Sequence, residues 1–415
     1  EAGKAAQDVD SLVLVGDNAG KTLNSSNCDG TVAIGKNALT SLTSGDGNIA
    51  IGYEALQDNT TGSSNIAIGY QAMVSANHSS FTHNIAIGKN ALNSTGTNGT
   101  TGNIAIGTDA LTDQTTGTAN VAIGHLAMAN TVAGQGNVAI GYNAMETAAH
   151  ADADNNTCIG YQSGVLITSG DSNTLVGSGS GDSLTTGHEN VILGARAGNA
   201  TQNTGNSVII GAEACQANMD ADTDGTIAIG KGSLAALTTG GENIAIGQLS
   251  MDAMQEGHNN IALGHHALGN LNNSGADRNI AIGNYAGDGM AGFANVDNIF
   301  IGYAAGGGTW DTSASNYNVA IGNYVMDAAM DGAAQNVCVG YDSGGAITHG
   351  DTNTFVGFES ANAVTDGYQN VALGAAVAFA NEATAVNQIC VGYGVTGKAN
   401  NTAVIGNDNI TDVYM

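Results

Sequence analysis

Positive charge, proline and long apolar runs are scarce in this sequence. Its 415 residues include no proline and only eight lysine and arginine residues, against 36 aspartate and glutamate residues, for a formal charge of −28. Because the few cations form no cluster, we expect no nucleic-acid partner. No apolar run reaches the roughly 18 residues that a membrane-spanning helix needs, so we expect no membrane insertion.

Aromatic residues and cysteines are also few. Phe, Trp and Tyr make up 5% of the chain, although sugar-cleaving grooves usually present aromatic faces. The five cysteines include no Cys-x-x-Cys pair, so we expect neither a disulfide framework nor a zinc site. No Ser/His/Asp or Cys/His arrangement recurs. We therefore expect no enzyme activity and no cofactor, and a tailspike-like polysaccharide depolymerase remains the enzyme alternative.

The abundant feature is a short repeat ending in glycine. It occurs 23 times, at spacings that are mostly about 17 or 19 residues. Each copy supplies a β-prone run, a turn at glycine, a small apolar pair and a polar loop. This pattern predicts an all-β fold: a repetitive parallel β-solenoid or β-roll of about 23 coils of 17–19 residues. Structural positions in three representative copies are Asn48, Ala50, Ile51, Gly52, Asn65, Ala67, Ile68, Gly69, Asn243, Ala245, Ile246 and Gly247.

A longer duplication overlies the repeat. The copies from Gly16 to Gly107 match those from Gly211 to Gly302 at a constant offset. The duplication predicts two superrepeats with short segments at either end. The expected divisions are an N-terminal cap or joining segment at 1–11, solenoid superrepeats at 12–200 and 201–406, and a C-terminal connector at 407–415.

Strand positions can be numbered backwards from the glycine. Position −1 is Ile, Val or Leu in all 23 copies, position −3 is mostly Ile or Val, and position −2 is Ala in 13. Because side chains alternate along a strand, positions −1 and −3 share one face. We expect that face to fill the coil core and the small side chains at −2 to pack on neighbouring chains, in a closed homotrimer. The alternative is a single-chain solenoid whose −2 face packs on its own loop.

Position −4 is Asn in 17 of the 23 copies. Stacked coils would align these amides, and each amide can both donate and accept hydrogen bonds. We therefore expect an asparagine ladder with a structural role.

The Asn-x-Ala-Ile-Gly-x-x-Ala-Leu unit resembles the head-type repeats of phage tail fibres, arrays that often precede a self-cleaving intramolecular chaperone domain. It is also similar to the left-handed parallel β-roll heads of trimeric autotransporter adhesins. The resemblance covers residues 12–406, and the ending at 402–415 resembles the connector that follows such arrays in phage fibres. The coils, at about 17–19 residues, are longer than those of autotransporter heads. Within this sequence we find no chaperone domain, membrane anchor or coiled-coil stalk, and the last two absences favour a phage fibre segment or a released filament subunit over an autotransporter.

The resemblance implies trimerisation and binding to a host surface. We therefore expect an extracellular structural fibre shaft with an adhesive surface, in a virion tail fibre that contacts a host-cell glycan or protein. The alternative is a secreted or cell-surface filament or adhesin subunit that joins end to end, because terminal coils offer unpaired strand edges.

Two further motifs are candidate binding sites. Asp220, Asp222 and Asp224 have the alternating spacing that opens calcium loops, although Lys231 replaces the Glu that an EF-hand needs. Calcium binding and solvated acidic turns both stay open. Trp310 and Tyr317 lie in the longest coil, between Gly302 and Gly322, which is either a surface-binding loop or a longer turn.

Overall fold

The computed structural model describes residues 11–23, 26–76, 80–93, 100–148, 150, 152–310, 313–410 and 412. The chain divides into two compact units, Glu1–Asn206 and Ser207–Met415. In their described residues both units consist of three-residue strands joined by turns, with three short 3-10 helices and no α-helix.

Unit 1 contains one 3-10 helix, Ser26–Cys28, among its described residues. Its strands are β1 (Val13–Val15), β2 (Val32–Ile34), β3 (Ile49–Ile51), β4 (Ile66–Ile68), β5 (Ile85–Ile87), β6 (Ile104–Ile106), β7 (Val121–Ile123), β8 (Val138–Ile140), β9 (Thr157–Ile159), β10 (Thr174–Val176) and β11 (Val191–Leu193).

Unit 2 contains two 3-10 helices where it is described, Ala221–Thr223 and Glu382–Thr384. Its strands are β12 (Val208–Ile210), β13 (Ile227–Ile229), β14 (Ile244–Ile246), β15 (Ile261–Leu263), β16 (Ile280–Ile282), β17 (Ile299–Ile301), β18 (Val319–Ile321), β19 (Val337–Val339), β20 (Thr354–Val356), β21 (Val371–Leu373), β22 (Ile389–Val391) and β23 (Ala403–Ile405).

Strands of successive coils pair in parallel and in register within each unit. Ala50 of β3 aligns with Ala67 of β4, and Ala245 of β14 aligns with Ala262 of β15. Each repeat therefore forms one coil that stacks on the next. The predicted parallel β-solenoid is confirmed.

In most coils, the glycine that ends the strand is required by the stacking. Gly52 has a φ of +141°, and a Cβ built on it would overlap the carbonyl oxygen of Gly69 in the next coil. The same clash recurs from Gly124 to Gly141. A side chain at this position would push neighbouring coils apart and would also strain the backbone.

The turn after the glycine is bound to both neighbouring coils. Glu54 and Leu56 have φ values of +55° and +54°, a conformation that costs a non-glycine residue about 1–2 kcal/mol. The Glu54 N–H donates to the Lys36 carbonyl at 3.0 Å, and the Leu56 N–H donates to the Ala72 carbonyl at 3.0 Å. These bonds to opposite neighbours hold the turn in its left-handed conformation.

The two strand faces are the reverse of the expected arrangement. Ala50 is fully buried inside its own coil, whereas Ile49 and Ile51 on either side are only partly buried. The same pattern holds in all of the described strands except β1 and β23, where the side chain at −2 is itself partly exposed. The prediction that −1 and −3 fill the core was wrong, and so was the prediction that the side chains at −2 pack on another chain.

The physical reason lies in the other wall of the coil. The pair that ends the turn, such as Ala55 and Leu56, is also fully buried. Position +4 is the fourth residue after the glycine. In 11 of the 13 copies with Ala at −2, this residue is Leu or Met. A large residue at +4 leaves room for only a small residue at −2, so the bulkier Ile side chains occupy the outside.

The asparagine ladder is confirmed. Asn65 is fully buried, and both its backbone N–H and its Nδ2 donate to Oδ1 of Asn48, at 3.1 and 3.2 Å. Its Nδ2 also donates to the Phe81 carbonyl at 2.9 Å. Unit 2 repeats the arrangement, with the Asn260 N–H donating to Oδ1 of Asn243 at 3.0 Å. Each amide thus links two coils and satisfies a loop carbonyl that is hidden from water.

Candidate functional site: the outer face and a polar groove

In each unit, the side chains at −3 and −1 form a surface that we call the outer face. In the described strands none of these side chains is buried, and all are Ile, Val, Leu, Thr or Ala. The outer face therefore carries no charge, although the chain as a whole has a formal charge of −28. The most exposed members in the interior of unit 2, at 36–41%, are Ile246, Ile282, Ile321, Val337, Val356, Leu373 and Ile389.

Aromatic rings follow the outer face where the strands end. In unit 1, the rings of Tyr53 and Tyr70 stack with their centroids 5.2 Å apart. His125, Tyr142 and Tyr161 form a second stack with both centroid separations at 5.4 Å. All of them occupy the first position after the glycine, so they extend the strip begun by −3 and −1.

Unit 2 has a longer run of rings at the first and second positions after the glycine. Successive centroids lie 5.2–6.0 Å apart. The rings are those of His265, Tyr285, Tyr303, Tyr324, Tyr341 and Phe358. We call these rings and those of unit 1 the aromatic border. Tyrosine and other aromatic residues are enriched where proteins bind each other.

Trp310 is buried in the core. It is 1% exposed, and its ring packs edge-on against Phe300 with a centroid separation of 5.7 Å. The prediction of Trp310 as a surface-binding residue was wrong, because the longer coil supplies a large core side chain. Its Nε1–H has no hydrogen-bond partner among the described residues.

Tyr317, from the same long coil, lies at the surface with 53% of its area exposed. It borders a shallow groove of about 460 Å³, and Tyr368 borders the same groove. The groove is lined by Asn316, Tyr317, Ala334, Gln335, Asp351, Thr352, Tyr368 and Gln369. Nothing in the sequence singled out Tyr368, which lies three coils further along the chain and is brought near by the register of the coils.

The acidic motif forms a local cap. Asp220 precedes the 3-10 helix Ala221–Thr223, and its Oδ1 accepts a hydrogen bond from the Asp222 N–H at 3.0 Å. In the part of the chain that the structure describes, no group of three or more His, Cys, Asp or Glu residues is arranged to hold a metal ion. Asp220, Asp222 and Asp224 are therefore not brought together as a calcium site would require.

The cysteines are core residues. All five are buried, and none of them forms a disulfide in the described part of the chain. Burial raises the pKa of the Cys158 and Cys215 thiols to about 12. Since the thiolate is the reactive form, both side chains act as small apolar residues.

One histidine joins three coils. The Nδ1 of His349 lies 3.0 Å from a carboxylate oxygen of Asp366, and its Nε2 lies 3.2 Å from one of Asp331. The hydrogen bond with Asp366, together with that to Asp331, raises the pKa of His349 above its ordinary value. The imidazolium form is thus favoured as a bridge on an exposed part of unit 2.

In comparisons with known proteins, no family model matches the chain and no curated protein matches it significantly. No helix in the described ranges is long and apolar enough to cross a membrane.

Proposed function

We propose that the chain is a structural subunit of an extracellular fibre, a phage tail fibre whose surface contacts a host cell. The observation that carries the proposal is the outer face. Every coil contributes two side chains to it, and in the described strands none of them is buried within its own chain. A protein without partners gains nothing from repeating such a strip along its strands.

Association through the outer face would remove this apolar area from water. Burial contributes about 25 cal/mol for each Å² of apolar surface, so many half-exposed Ile and Val residues together give a large driving force. A closed homotrimer lets each copy bury the same strip, with the outer faces meeting around a central axis. The aromatic border would then lie at the margin of the interface, where Tyr side chains tolerate partial exposure.

The charge distribution supports association at this face alone. None of the 36 acidic residues is at −3 or −1, and eight basic residues are too few to neutralise them. Like charges on the remaining surfaces oppose side-by-side clustering of complete fibres. Like-charge repulsion does not penalise close approach at the uncharged outer face.

Electron microscopy of the purified chain tests the assembly, and binding of the fluorescently labelled chain to a panel of bacterial cells tests the adhesive role. We expect end views with three-fold symmetry, together with saturable binding to at least one bacterial surface. Particles with the cross-section of one chain, or uniform absence of cell binding, would contradict the proposal.

A further inference from the structure

The groove beside Tyr317 is built from four successive coils of unit 2. Each coil contributes the two residues that precede its −4 amide, at positions −6 and −5. From one end of the groove to the other these pairs are Asn316 and Tyr317, Ala334 and Gln335, Asp351 and Thr352, and Tyr368 and Gln369. Coils stack at about 4.8 Å, so the first and last pairs are on the order of 14 Å apart.

Tyrosine is restricted to this groove at those positions. Across all 23 copies of the repeat, Tyr317 is the only Tyr at −5 and Tyr368 is the only Tyr at −6. Both border the same groove, with 53% and 46% of their surfaces exposed. Two large aromatic side chains thus stand at opposite ends of a strip whose interior is polar.

The polar interior has unused hydrogen-bonding capacity. The side-chain amides of Gln335 and Gln369 are exposed and make no hydrogen bond with any described residue. Oδ1 of Asp351 accepts from the Ala334 N–H at 2.8 Å, which leaves Oδ2 available as an acceptor. Donors and acceptors are therefore presented together, as hydroxyl-rich ligands require.

Backbone bonds between coils hold these residues in place. The Gln335 N–H donates to the Asn316 carbonyl, the Thr352 N–H to the Ala334 carbonyl and the Gln369 N–H to the Asp351 carbonyl, each at 3.0 Å. Position −5 of each coil, including Tyr317 at φ +60°, is left-handed and projects its side chain from a fixed backbone. Such pre-organisation lowers the entropy lost when a ligand binds.

We propose that this groove binds a short linear stretch of a neutral polysaccharide, with Tyr317 and Tyr368 packing against the C–H faces of sugar rings and the amides and Asp351 binding hydroxyls. The electron-rich face of an aromatic ring attracts the weakly positive C–H groups of a sugar ring. The site rests on the proposed function, since it names the ligand class of the adhesive surface. Asp351 and the acidic chain as a whole disfavour sulfated or uronic-acid glycans.

The test measures binding of the full chain to cellohexaose, maltohexaose and laminarihexaose, with a heparin hexasaccharide as the acidic comparison. Tyr317→Ala and Tyr368→Ala are each expected to weaken binding to the recognised neutral probe about tenfold, as loss of an anchoring aromatic does. Tyr393→Ala is the control, because Tyr393 is 75% exposed but lines neither the groove nor the aromatic border. It should leave affinity unchanged.

Three results would each overturn the inference: no binding to any of the neutral hexasaccharides at millimolar concentration, preference for the heparin fragment, or equal losses in Tyr393→Ala and the groove variants. Circular dichroism of each variant confirms that it is folded. Measuring the molecular mass of the same samples distinguishes failure of the carbohydrate-binding inference from failure of the fibre proposal, because removing a groove tyrosine leaves the outer face intact.

Discussion

Phe300 and Gly306 are complementary in volume: a Cβ built on Gly306 would lie 2.6 Å from Cδ1 of the Phe300 ring. Phe300 is at position −2 of its coil and Gly306 is at position +4. A Cβ built on any of five more glycines at +4 would lie 2.8–3.2 Å from the −2 side chain of the same coil. Those pairs are Leu14 with Gly20, Cys158 with Gly164, Leu175 with Gly181, Ile192 with Gly198 and Cys338 with Gly344.

In each coil, the side chains at −2 and +4 thus share a limited volume, and a large side chain at one position requires a small one at the other. Ala at −2 usually accompanies Leu or Met at +4, and a larger residue at −2 usually accompanies glycine. Gly287 is informative, because its own coil has Ala281 at −2. A Cβ there would lie 2.7 Å from Cδ2 of Leu268 in the preceding coil and 3.2 Å from Cδ2 of Phe300 in the following coil, so side chains of the two neighbouring coils fill the space instead.

Exchanging the two sizes tests this complementarity. We expect Ala122→Leu alone to lower the free energy of unfolding by about 1–3 kcal/mol through overpacking. Met128→Gly alone should lower it by about 1–3 kcal/mol, because the loss from the cavity outweighs the relief of left-handed backbone strain at Met128, whose φ is +51°. The double variant should be more stable than the sum of the two losses predicts, with a coupling of about 0.5–3 kcal/mol. Urea unfolding measures all three, and additive losses would contradict the account.

The stacked glycines predict a large difference between two Gly→Ala substitutions. Gly124→Ala should lower the free energy of unfolding by more than about 3 kcal/mol, because the Cβ meets the backbone of Gly141. Gly47→Ala is the control: its φ is +64°, but the nearest atom to a Cβ is 3.7 Å away. The free energy of unfolding of the Gly47→Ala variant should fall by about 1 kcal/mol, from backbone strain alone. Equal losses in thermal or urea unfolding would show that steric contact between coils is unimportant.

The asparagine ladder predicts another pair of outcomes. Asn137→Ala removes the bond from Nδ2 to the Ala153 carbonyl at 2.7 Å and the acceptor of the Asn156 N–H at 2.8 Å. Because these buried groups are left unpaired, we expect a loss of about 1–3 kcal/mol for each. Asn130→Ala changes an exposed amide and should have little effect on the same unfolding curve. A neutral Asn137→Ala variant would argue that the ladder follows from the fold without stabilising it.

The His349 bridge predicts a pH-dependent contribution to stability. Its pKa is raised in the folded chain, chiefly by Asp366, so the contribution is fully present below the ordinary His pKa of about 6.5 and is lost as pH rises through the raised value. Wild type should therefore exceed His349→Gln in melting temperature at pH 5.5, and the difference should shrink at pH 8. NMR titration of the His349 ring should give a pKa above the ordinary value. A difference that grows with pH would contradict the assignment.

The strand positions and the asparagine ladder were predictable because the repeat itself carries them. Asn65 and Ala67 recur at the same offsets from the glycine in most copies, and parallel stacking then aligns identical residues of successive coils. Which strand face lies inside was not predictable from alternation, since both faces are apolar. The contact between the side chains at −2 and +4, on either side of the turn, decides which face lies inside. The left-handed residues of that turn, such as Leu56, are not apparent from composition.

The groove was only partly predictable for a related reason. Tyr317 stood out because its coil is unusually long. Tyr368 belongs to a coil of ordinary length, and only the cumulative register of the intervening coils places it on the same groove. Trp310 has the residue type expected of a binding surface, but whether a large ring faces in or out depends on the space beside Phe300.

The outer face can be tested by charge substitution. Ile246→Glu combined with Ile282→Glu places two carboxylates on the partly exposed outer face of β14 and β16. We expect this variant to keep its β circular dichroism spectrum and to lose self-association, because charges would be buried unpaired at the interface. Glu at the exposed ring positions Tyr53 and Tyr70 serves as the control, since these residues lie at the border. Unchanged association in the Ile variant would place the interface elsewhere.

The mass of the purified wild-type chain in solution, measured by light scattering after gel filtration at micromolar concentration, tests the central claim most directly. One chain has a mass of 41.1 kDa. We predict a single species of three times that mass. A stable species at the mass of one chain would mean that the outer face remains in water, and it would contradict the fibre assembly.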